Sequence, residues 1–219
     1  MQRNSDIPAD KIARTMASLE TNNMCAHYAA TSEDALAIAA SFLFEGCRVA
    51  VGGSVTLRET GILKMIENGA YLYTNRYQKG TFEFDESLSE EEKRKSLTDA
   101  YFADVYFASA NALTQNGEIV NVDGQGNRVS AIAFGPKKVI LVVGSNKIVD
   151  DIESGIQRIK TVAAPANSRR YDRSTPCVKL GYCVNCKHPE KGCSDYMVVT
   201  HQREKDRIHV IVVNEVLGF

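Results

Sequence analysis

A continuous apolar run at residues 137–144, KKVILVVG, is the sequence feature that most constrains the fold. A run without polar alternation is typical of a strand that is buried on both faces. Such strands occur in parallel sheets, because the crossover connections place helices over both sides of the sheet. The run therefore predicts an α/β fold and argues against an all-antiparallel sheet.

The rest of the chain repeats this alternation of strand and helix. Other strand signals are CRVAV at 47–51, AYLYT at 70–74 and DVYFA at 104–108, and RIHVIVV at 207–213 is a further candidate. Capping boxes at Thr31–Asp34 and Ser89–Glu92 predict two helix starts, the first for a helix over 35–45 that ends at Gly46. Strands alternating with helices predict a Rossmann-like, mainly parallel sheet.

The length of 219 residues predicts a single domain, 1–219, with a core of ordinary size. Its last part, 163–219, changes in character. AAPANSRRYDRSTPC, at 163–177, is rich in small, polar and proline residues without periodicity, which predicts a linker or a wrapped arm. A cysteine-rich segment and two terminal strands, around YMVV and RIHVIVV, follow it.

Turn signals are concentrated between Asp104 and Val149. DVYFASANAL is predicted as one strand, and Asn116-Gly117 after it is the signal for a type I′ hairpin. A second turn, DGQGN at 123–127, contains two glycines that allow positive φ. RVSAIAF, which follows, is too short to assign by period.

Two glycine-rich turns follow strand signals and are the main candidates for a ligand site. GGSVT at 52–56 precedes a helix over LRETGILKMIENG, and GSNK at 144–147 precedes an amphipathic segment. Small residues let backbone amides approach an anion, and a helix amino terminus adds positive potential. Neither turn is a Walker loop or a dinucleotide fingerprint, so each can also be an ordinary connection. The residues predicted to bind a ligand here are Gly52, Gly53, Ser54, Thr56, Gly144, Asn146 and Lys147.

A polar cluster in the neighbouring turns is predicted to close the same pocket. Its ligand-binding candidates are Asn111, Asn121, Gly124, Asn127 and Arg128. Asn and Asp are also the ordinary residues of turns, so turn chemistry alone explains the cluster equally well. Glu59 and Asp123 are the candidate catalytic carboxylates. A Ser-His-Asp or Cys-His pattern is not recognisable in the sequence, and whether the chain is an enzyme stays open.

Four of the six cysteines lie within 177–193, at Cys177, Cys183, Cys186 and Cys193. A cytoplasmic protein has little use for structural disulfides, so clustered thiolates favour a metal site. Four thiolates suit zinc and an iron-sulfur cluster equally. A second CxxC, expected of a zinc ribbon, is missing. A redox-active disulfide and unliganded thiols are the alternatives.

The net charge and the hydropathy of the chain limit the kinds of partner that we expect it to bind. A net charge of −1 and a pI near 6.4 give no electrostatic basis for binding nucleic acid or an anionic membrane. The polar amino terminus lacks the apolar core of a signal peptide, and a run long enough for a membrane helix is not found. We therefore expect a cytoplasmic protein whose partner is a small anionic ligand. The sequence leaves a homo-oligomer open.

Several segments together resemble the LUD-domain family, the bacterial lactate-utilisation proteins. They are GGSVTLRETGI, the stretch from SANALTQNGEIV to VVGSNKIV, AAPANSRR and the terminal NEVLGF. The cysteine segment resembles that of short single-domain members. The resemblance implies a fold like that of the ribose-5-phosphate isomerase and CoA-transferase group, with its site at strand carboxyl ends.

This resemblance also implies a part in oxidising lactate to pyruvate, alongside iron-sulfur partner subunits. It favours an iron-sulfur cluster over zinc at the cysteines, although the CxxCxxC run of the iron-sulfur partners is absent here. The alternative is a non-catalytic binding, regulatory or assembly module of a redox complex, with a structural metal site.

Overall fold

The fold is seen in a computed structural model that describes residues 7–73, 77–79 and 85–219. Its central sheet contains six parallel strands in the order β1-β10-β7-β4-β2-β3. These are β1 (Cys25–Ala29), β2 (Arg48–Val51), β3 (Leu72–Tyr73), β4 (Val105–Ala108), β7 (Lys138–Gly144) and β10 (Ile208–Val213). The predicted α/β fold with a mainly parallel sheet is confirmed, and every strand proposed for that sheet lies in it. Thr74, the last residue of the predicted AYLYT strand, lies outside the described residues.

A second, smaller sheet has the order β8-β5-β6-β9 and is mostly antiparallel. Its strands are β5 (Ala112–Thr114), β6 (Ile119–Asp123), β8 (Ile148–Val149) and β9 (Asp195–Val199). The prediction of one strand over DVYFASANAL is wrong, because the chain leaves the central sheet after Ala108 and enters the second sheet at Ala112. The two predicted terminal strands, β9 and β10, are present in different sheets.

Helices cover both sheets. They are α1 (Ala9–Thr21), α2 (Ser32–Ala40), α3 (Val55–Glu59), α4 (Ile62–Asn68), α5 (Glu90–Thr98), α6 (Asn127–Ala133), α7 (Ile152–Arg158), α8 (Ala164–Arg170) and α9 (Pro176–Leu180). Both capping boxes are confirmed, at the starts of α2 and α5. Among the described residues, no helix is long and apolar enough to cross a membrane.

Three local predictions differ from the structure. Helix α2 ends at Ala40, five residues before the predicted end, and Gly46 lies in a separate turn with φ 73°. The helix predicted after GGSVT is divided into α3 and α4 by Gly61, whose φ of 77° interrupts the helical hydrogen bonds. RVSAIAF, left unassigned, forms most of α6.

The segment predicted as a linker is also largely helical. A π-helical turn, Ile159–Ala163, connects α7 to α8, and Pro165 is accommodated near the start of α8. The helical backbone is continuous from Ile152 to Arg170, so Pro165 lies inside it, directly after the π-helical turn, where the spacing of the hydrogen bonds is already changed. Contacts of Ala164 with the second sheet supply the packing that the composition did not reveal.

Alternating side chains bury both faces of the central sheet. In β4, Tyr106 belongs to the core on one face and Phe107 to the core on the other, and β7 and β10 alternate in the same way. Helix α1 and the second sheet cover the first face, while α2, α3 and α4 cover the second. The central strands are therefore fixed in register by packing on both sides.

Candidate functional site

The site is built where four parallel strands end. Val51 of β2, Ala108 of β4, Gly144 of β7 and Val213 of β10 lie in hydrogen-bonded neighbours, so the loops that follow them emerge at one edge of the sheet. Both predicted glycine-rich turns are among these loops and lie at this edge. In open α/β sheets, ligands bind at the carboxyl ends of the strands.

A cavity of about 1390 Å³ opens at this edge. From the predicted set, the structure brings Gly53, Ser54, Thr56, Asn111, Asp123, Gly124, Asn127, Arg128 and Lys147 to its wall. Gly52, Glu59, Asn121, Gly144 and Asn146 are not on the wall of this cavity and lie behind it or beside it. Most of the predicted ligand-binding residues are thus near each other, although they perform different tasks.

Lys147 is the buried cation at the centre of the site. Its side chain is 2% exposed, and Nζ donates to the hydroxyl oxygens of Thr56, at 3.0 Å, and Ser109, at 3.1 Å. Burial, and then the positive charges of Arg158 and Arg128, lower the pKa of Lys147 from 10.5 to about 7. Glu59 acts in the opposite direction and does not offset them. An uncharged amine is therefore accessible here near neutral pH.

Arg128 holds the polar turns together. Its side chain donates to Asp123 Oδ1 at 2.9 Å, to the amide oxygens of Asn121 and Asn111 at 2.7 and 2.9 Å, and to the carbonyl oxygens of Ser109 and Val122 at 2.8 Å. All five N–H groups of its guanidinium are needed for these bonds. Arg128 therefore organises the wall of the cavity.

Asp123 is engaged by the protein itself. Its Oδ2 accepts the backbone N–H groups of Arg128 at 2.7 Å and Val129 at 2.9 Å, at the start of α6, while its Oδ1 pairs with the Arg128 guanidinium. Through these bonds, the Asp123 carboxylate caps the amino terminus of α6 and neutralises the charge of Arg128. The geometry is that of a buried structural ion pair, and the catalytic role of Asp123 stays a prediction.

The amide groups of Asn111 and Asn121 are also turned toward the protein. Asn121 Oδ1 accepts the backbone N–H of Asn111 at 3.1 Å, and Asn111 Oδ1 accepts that of Val122 at 2.9 Å. Hydrogen bonds within the turns thus account for the side-chain oxygens of Asn111 and Asn121. Asn121 Nδ2 is buried and has no hydrogen-bond partner in the described part of the chain.

The carboxyl-terminal segment covers one side of the site. Its backbone donates from Leu217 to Asn146 Oδ1 at 3.1 Å and from Gly218 to Glu59 Oε2 at 2.7 Å. The segment approaches so closely that a Cβ on Gly144 would lie 2.9 Å from the Glu215 carbonyl oxygen, and one on Gly218 would lie 3.2 Å from Lys147 Nζ. Glu59 and Asn146 therefore hold this segment over Lys147.

Helix amino termini contribute less to the site than predicted. GGSVT opens α3, which has only five residues, and Ser54 Oγ already accepts the Leu57 N–H at 3.3 Å. GSNK opens a 3-10 turn, Ser145–Lys147, that leads into β8 instead of an α-helix. Gly52 is needed for packing, since a Cβ there would meet the Tyr106 hydroxyl at 2.7 Å. These two turns therefore contribute to the site through the side chains of Thr56 and Lys147.

Comparison with known proteins places the chain in a family. The model of the LUD domain matches residues 12–213, which is most of its length. The chain belongs to the LUD-domain family. No curated protein sequence matches it. A crystal structure of a DUF162 family protein from Deinococcus radiodurans is similar, with 14% identity and a TM-score of 0.48, over 94% of this chain and 97% of that one.

The four clustered cysteines of this LUD-domain protein lie in α9 and in the loop after it, and residues 189–192 of that loop line the cavity. Cys177 is buried in α9, whereas Cys183, Cys186 and Cys193 are partly exposed, and all four are free thiols. Burial raises the pKa of Cys193, and the other three thiols raise it further. Within the described ranges, three or more Cys, His, Asp or Glu side chains are nowhere arranged to hold a metal. Their arrangement does not fit a formed tetrahedral site, and the metal stays a prediction.

Sequence reasoning missed three residues of the LUD-domain site. Ser109 directly follows β4, and the rule that ligands bind at strand carboxyl ends would have found it once that strand was ended at Ala108. Arg158 lies on α7, where its Nη1 donates to the Asn111 carbonyl oxygen at 2.6 Å. Its approach to Lys147 depends on the tertiary fold. Gly218 is brought to the site by the return of the chain after β10.

Proposed function

We propose that this LUD-domain protein binds a small organic carboxylate at Lys147 and takes part in the oxidation of lactate to pyruvate. The family is associated with lactate utilisation, which supplies the metabolic setting. The location of the ligand rests on this chain's own residues. A ligand of this kind is either the substrate of a reaction or a signal that the protein reads.

The excess of positive charge around Lys147 is the observation that carries this proposal. Arg158 and Arg128 are close enough to Lys147 to lower its pKa, and the carboxylate of Glu59 raises it. Asp123 already pairs with Arg128, so Glu59 faces two remaining cations, Lys147 and Arg158. A buried cation without full compensation is costly. An anion bound beside Nζ would restore the balance, and it would raise the pKa of Lys147.

The neighbouring groups suit a hydroxy or oxo acid. The hydroxyls of Thr56 and Ser109, already hydrogen-bonded to Nζ, can donate to or accept from a ligand oxygen. Gly53 adds no side chain to the wall of the cavity. The site can also take inorganic phosphate, which is an anion with similar oxygen acceptors, so carboxylates and phosphate must be compared directly.

Titration calorimetry with L-lactate, pyruvate, acetate and phosphate tests the proposal. We expect L-lactate or pyruvate to bind most tightly at pH 7, and Lys147→Met to abolish most of the affinity while the fold is kept. Lys64→Met, which removes an exposed lysine of α4, is the matched control and should bind as the parent does. Equal affinity in Lys147→Met, or binding of none of the four anions, would refute the proposal.

A second proposal concerns assembly. We propose, from the resemblance to lactate-utilisation proteins, that the chain acts with iron-sulfur partner subunits. Exposed apolar side chains at Tyr182, Val184 and Tyr196, around the cysteine-rich segment, favour a protein contact there. Co-purification of tagged chain with such subunits tests it, and loss of the complex in a Tyr182→Asp, Val184→Asp variant is the expected result. A complex that withstands both changes would rule out this surface.

A further inference from the structure

We infer that Lys147 forms an imine with the carbonyl carbon of a small 2-oxo acid bound in the cavity. The inference rests on the proposed function, since it requires that an acid reach Lys147. It adds the formation of a covalent bond to the binding of the acid, which ion pairing alone does not require. It also separates two chemically similar ligands, because a 2-hydroxy acid has no carbonyl carbon for an amine to attack.

The position of Nζ meets the steric requirements. Lys147 lines the cavity, and its side chain is otherwise packed beneath the surface. Gly218 lies on the side of the carboxyl-terminal segment, where a Cβ would stand 3.2 Å from Nζ and 2.6 Å from Thr56 Oγ1. A side chain at residue 218 would not fit there, so the backbone of this segment packs directly against the site. The ligand approaches from the cavity, and the carboxyl-terminal segment closes the other side.

Two hydroxyls are placed to handle the oxygen that the reaction releases. Thr56 Oγ1 and Ser109 Oγ lie 3.0 and 3.1 Å from Nζ, and 3.5 Å from each other. A carbinolamine oxygen bonded to the carbon next to Nζ would be within reach of both. One hydroxyl can donate to this oxygen while the other accepts from the nitrogen.

The charges that face Lys147 keep a reactive fraction of the amine at neutral pH. Burial, then Arg158 of α7 and Arg128 of α6, lower the pKa of Lys147 to about 7, and Glu59 of α3 opposes them. An amine must be unprotonated to attack a carbonyl, and desolvation beside other cations is a known way to achieve this. Lys93, also on the cavity wall, differs because it pairs with Glu90 at 3.0 Å, which raises its pKa.

The step balances without an oxidant. The lone pair of Nζ attacks the carbonyl carbon, and the carbonyl oxygen takes up protons, one from the nitrogen and one from solvent. The carbon–oxygen bond then breaks, water leaves, and a carbon–nitrogen double bond forms with a proton retained on nitrogen. Water addition reverses the sequence and returns the acid unchanged. A borohydride reductant, added from outside, converts the imine into a stable secondary amine.

Trapping with borohydride tests the inference on the full chain. The protein is incubated with pyruvate and sodium cyanoborohydride at pH 7 and pH 8, and its intact mass is measured. We expect one adduct per chain, with the mass of pyruvic acid less one oxygen atom, located at Lys147 by peptide mapping. L-lactate under the same conditions should give none. Lys147→Arg, which keeps the charge, should bind pyruvate without forming the adduct, and Lys64→Met should form it as the parent does.

Failure of this inference is distinguishable from failure of the proposed function. Pyruvate binding by calorimetry, with no adduct or with adducts spread over surface lysines, would overturn the imine and leave the binding proposal standing. An absence of binding would overturn both. Because mapping is done on the parent protein, the result does not depend on the folding of any variant.

Discussion

Replacing the buried Lys147 by methionine should stabilise the protein in a pH-dependent way. The pKa of Lys147 lies at about 7 instead of 10.5. Each pKa unit is about 1.4 kcal/mol, so the difference of about 3.5 corresponds to a cost of about 5 kcal/mol for the buried ammonium in the ligand-free protein. Methionine has a similar length and no charge, and it avoids this cost.

The direction of this pH dependence follows from the numbers of protons that the folded and unfolded chains bind. Between pH 7 and about 10.5, the unfolded chain binds more protons at this lysine than the folded chain does, so the parent gains stability as the pH rises. Lys147→Met has no such gain. Its advantage over the parent is therefore largest at pH 7 and below. It should decrease by about 3.5 kcal/mol between pH 7 and pH 10. The loss of the hydrogen bonds to Thr56 and Ser109 lowers the advantage by the same amount at every pH and does not change this decrease.

Urea unfolding at several pH values measures this difference. Comparing parent and variant at each pH removes the titration of other groups, such as tyrosines and cysteines, which both proteins share. Lys64→Met is the control for the loss of an exposed lysine. A difference between parent and Lys147→Met that is constant from pH 7 to pH 10 would show that the pKa of Lys147 is not lowered.

Three other changes test the structure around the cavity. Asp123→Asn should destabilise the protein by about 3–5 kcal/mol in urea unfolding, because it leaves Arg128 buried without its carboxylate; a loss below about 1 kcal/mol would contradict the structural role of the pair. Gly144→Ala should cost about 1–3 kcal/mol and speed hydrogen exchange at the Leu217 amide, because the new methyl group displaces the carboxyl-terminal segment; unchanged exchange would argue against that contact. Anaerobically prepared protein should contain iron and absorb visible light if the cysteines bind a cluster, or contain zinc without colour, and Cys186→Ser should then lower its stability. A metal-free, colourless sample with an unaffected variant would end the metal hypothesis.

The fold was predictable where local signals agreed with burial. Residues 138–144 form a strand because an uninterrupted apolar run can be buried on both faces, and Thr31 and Ser89 cap helices through contacts within four residues. The prediction failed where tertiary packing decides the structure. The chain changes sheets between Ala108 and Ala112, and the composition of 164–170 hides a helix that packs on the second sheet.

The turn at Asn116-Gly117 shows how much of the local structure a short sequence motif can predict. The hairpin is present, but the predicted type I′ geometry is wrong, because Gly117 alone has positive φ, at 76°. The Gly117 N–H donates to Thr114 at 2.9 Å, and the next bond joins Thr114 N to the Glu118 carbonyl oxygen. This pattern is that of a type I turn followed by a glycine bulge. The Asn-Gly dipeptide thus predicted the position of the chain reversal. The bulge at Gly117 makes the turn type I instead of type I′.

The candidate site was predictable as a location and less so as chemistry. Lys147 and Thr56 were expected at one edge of the sheet because they follow strands, and both line the cavity there. The partners that set the properties of Lys147 were not visible, since Arg158 and Gly218 approach it only in the folded chain. Asp123, in turn, looks reactive in the sequence and is bound by Arg128 in the structure.

Proton uptake on binding of L-lactate is the most direct test of the carboxylate site. At pH 8 the amine of Lys147 is mostly neutral, because its pKa is about 7. A carboxylate beside Nζ raises that pKa, so binding must draw a proton from the buffer. Calorimetry in two buffers with different ionisation enthalpies measures it, and L-lactate cannot form an imine that would confuse the result. We predict net uptake that approaches one proton per chain, whereas L-lactate binding without proton uptake, or no binding, would contradict the account.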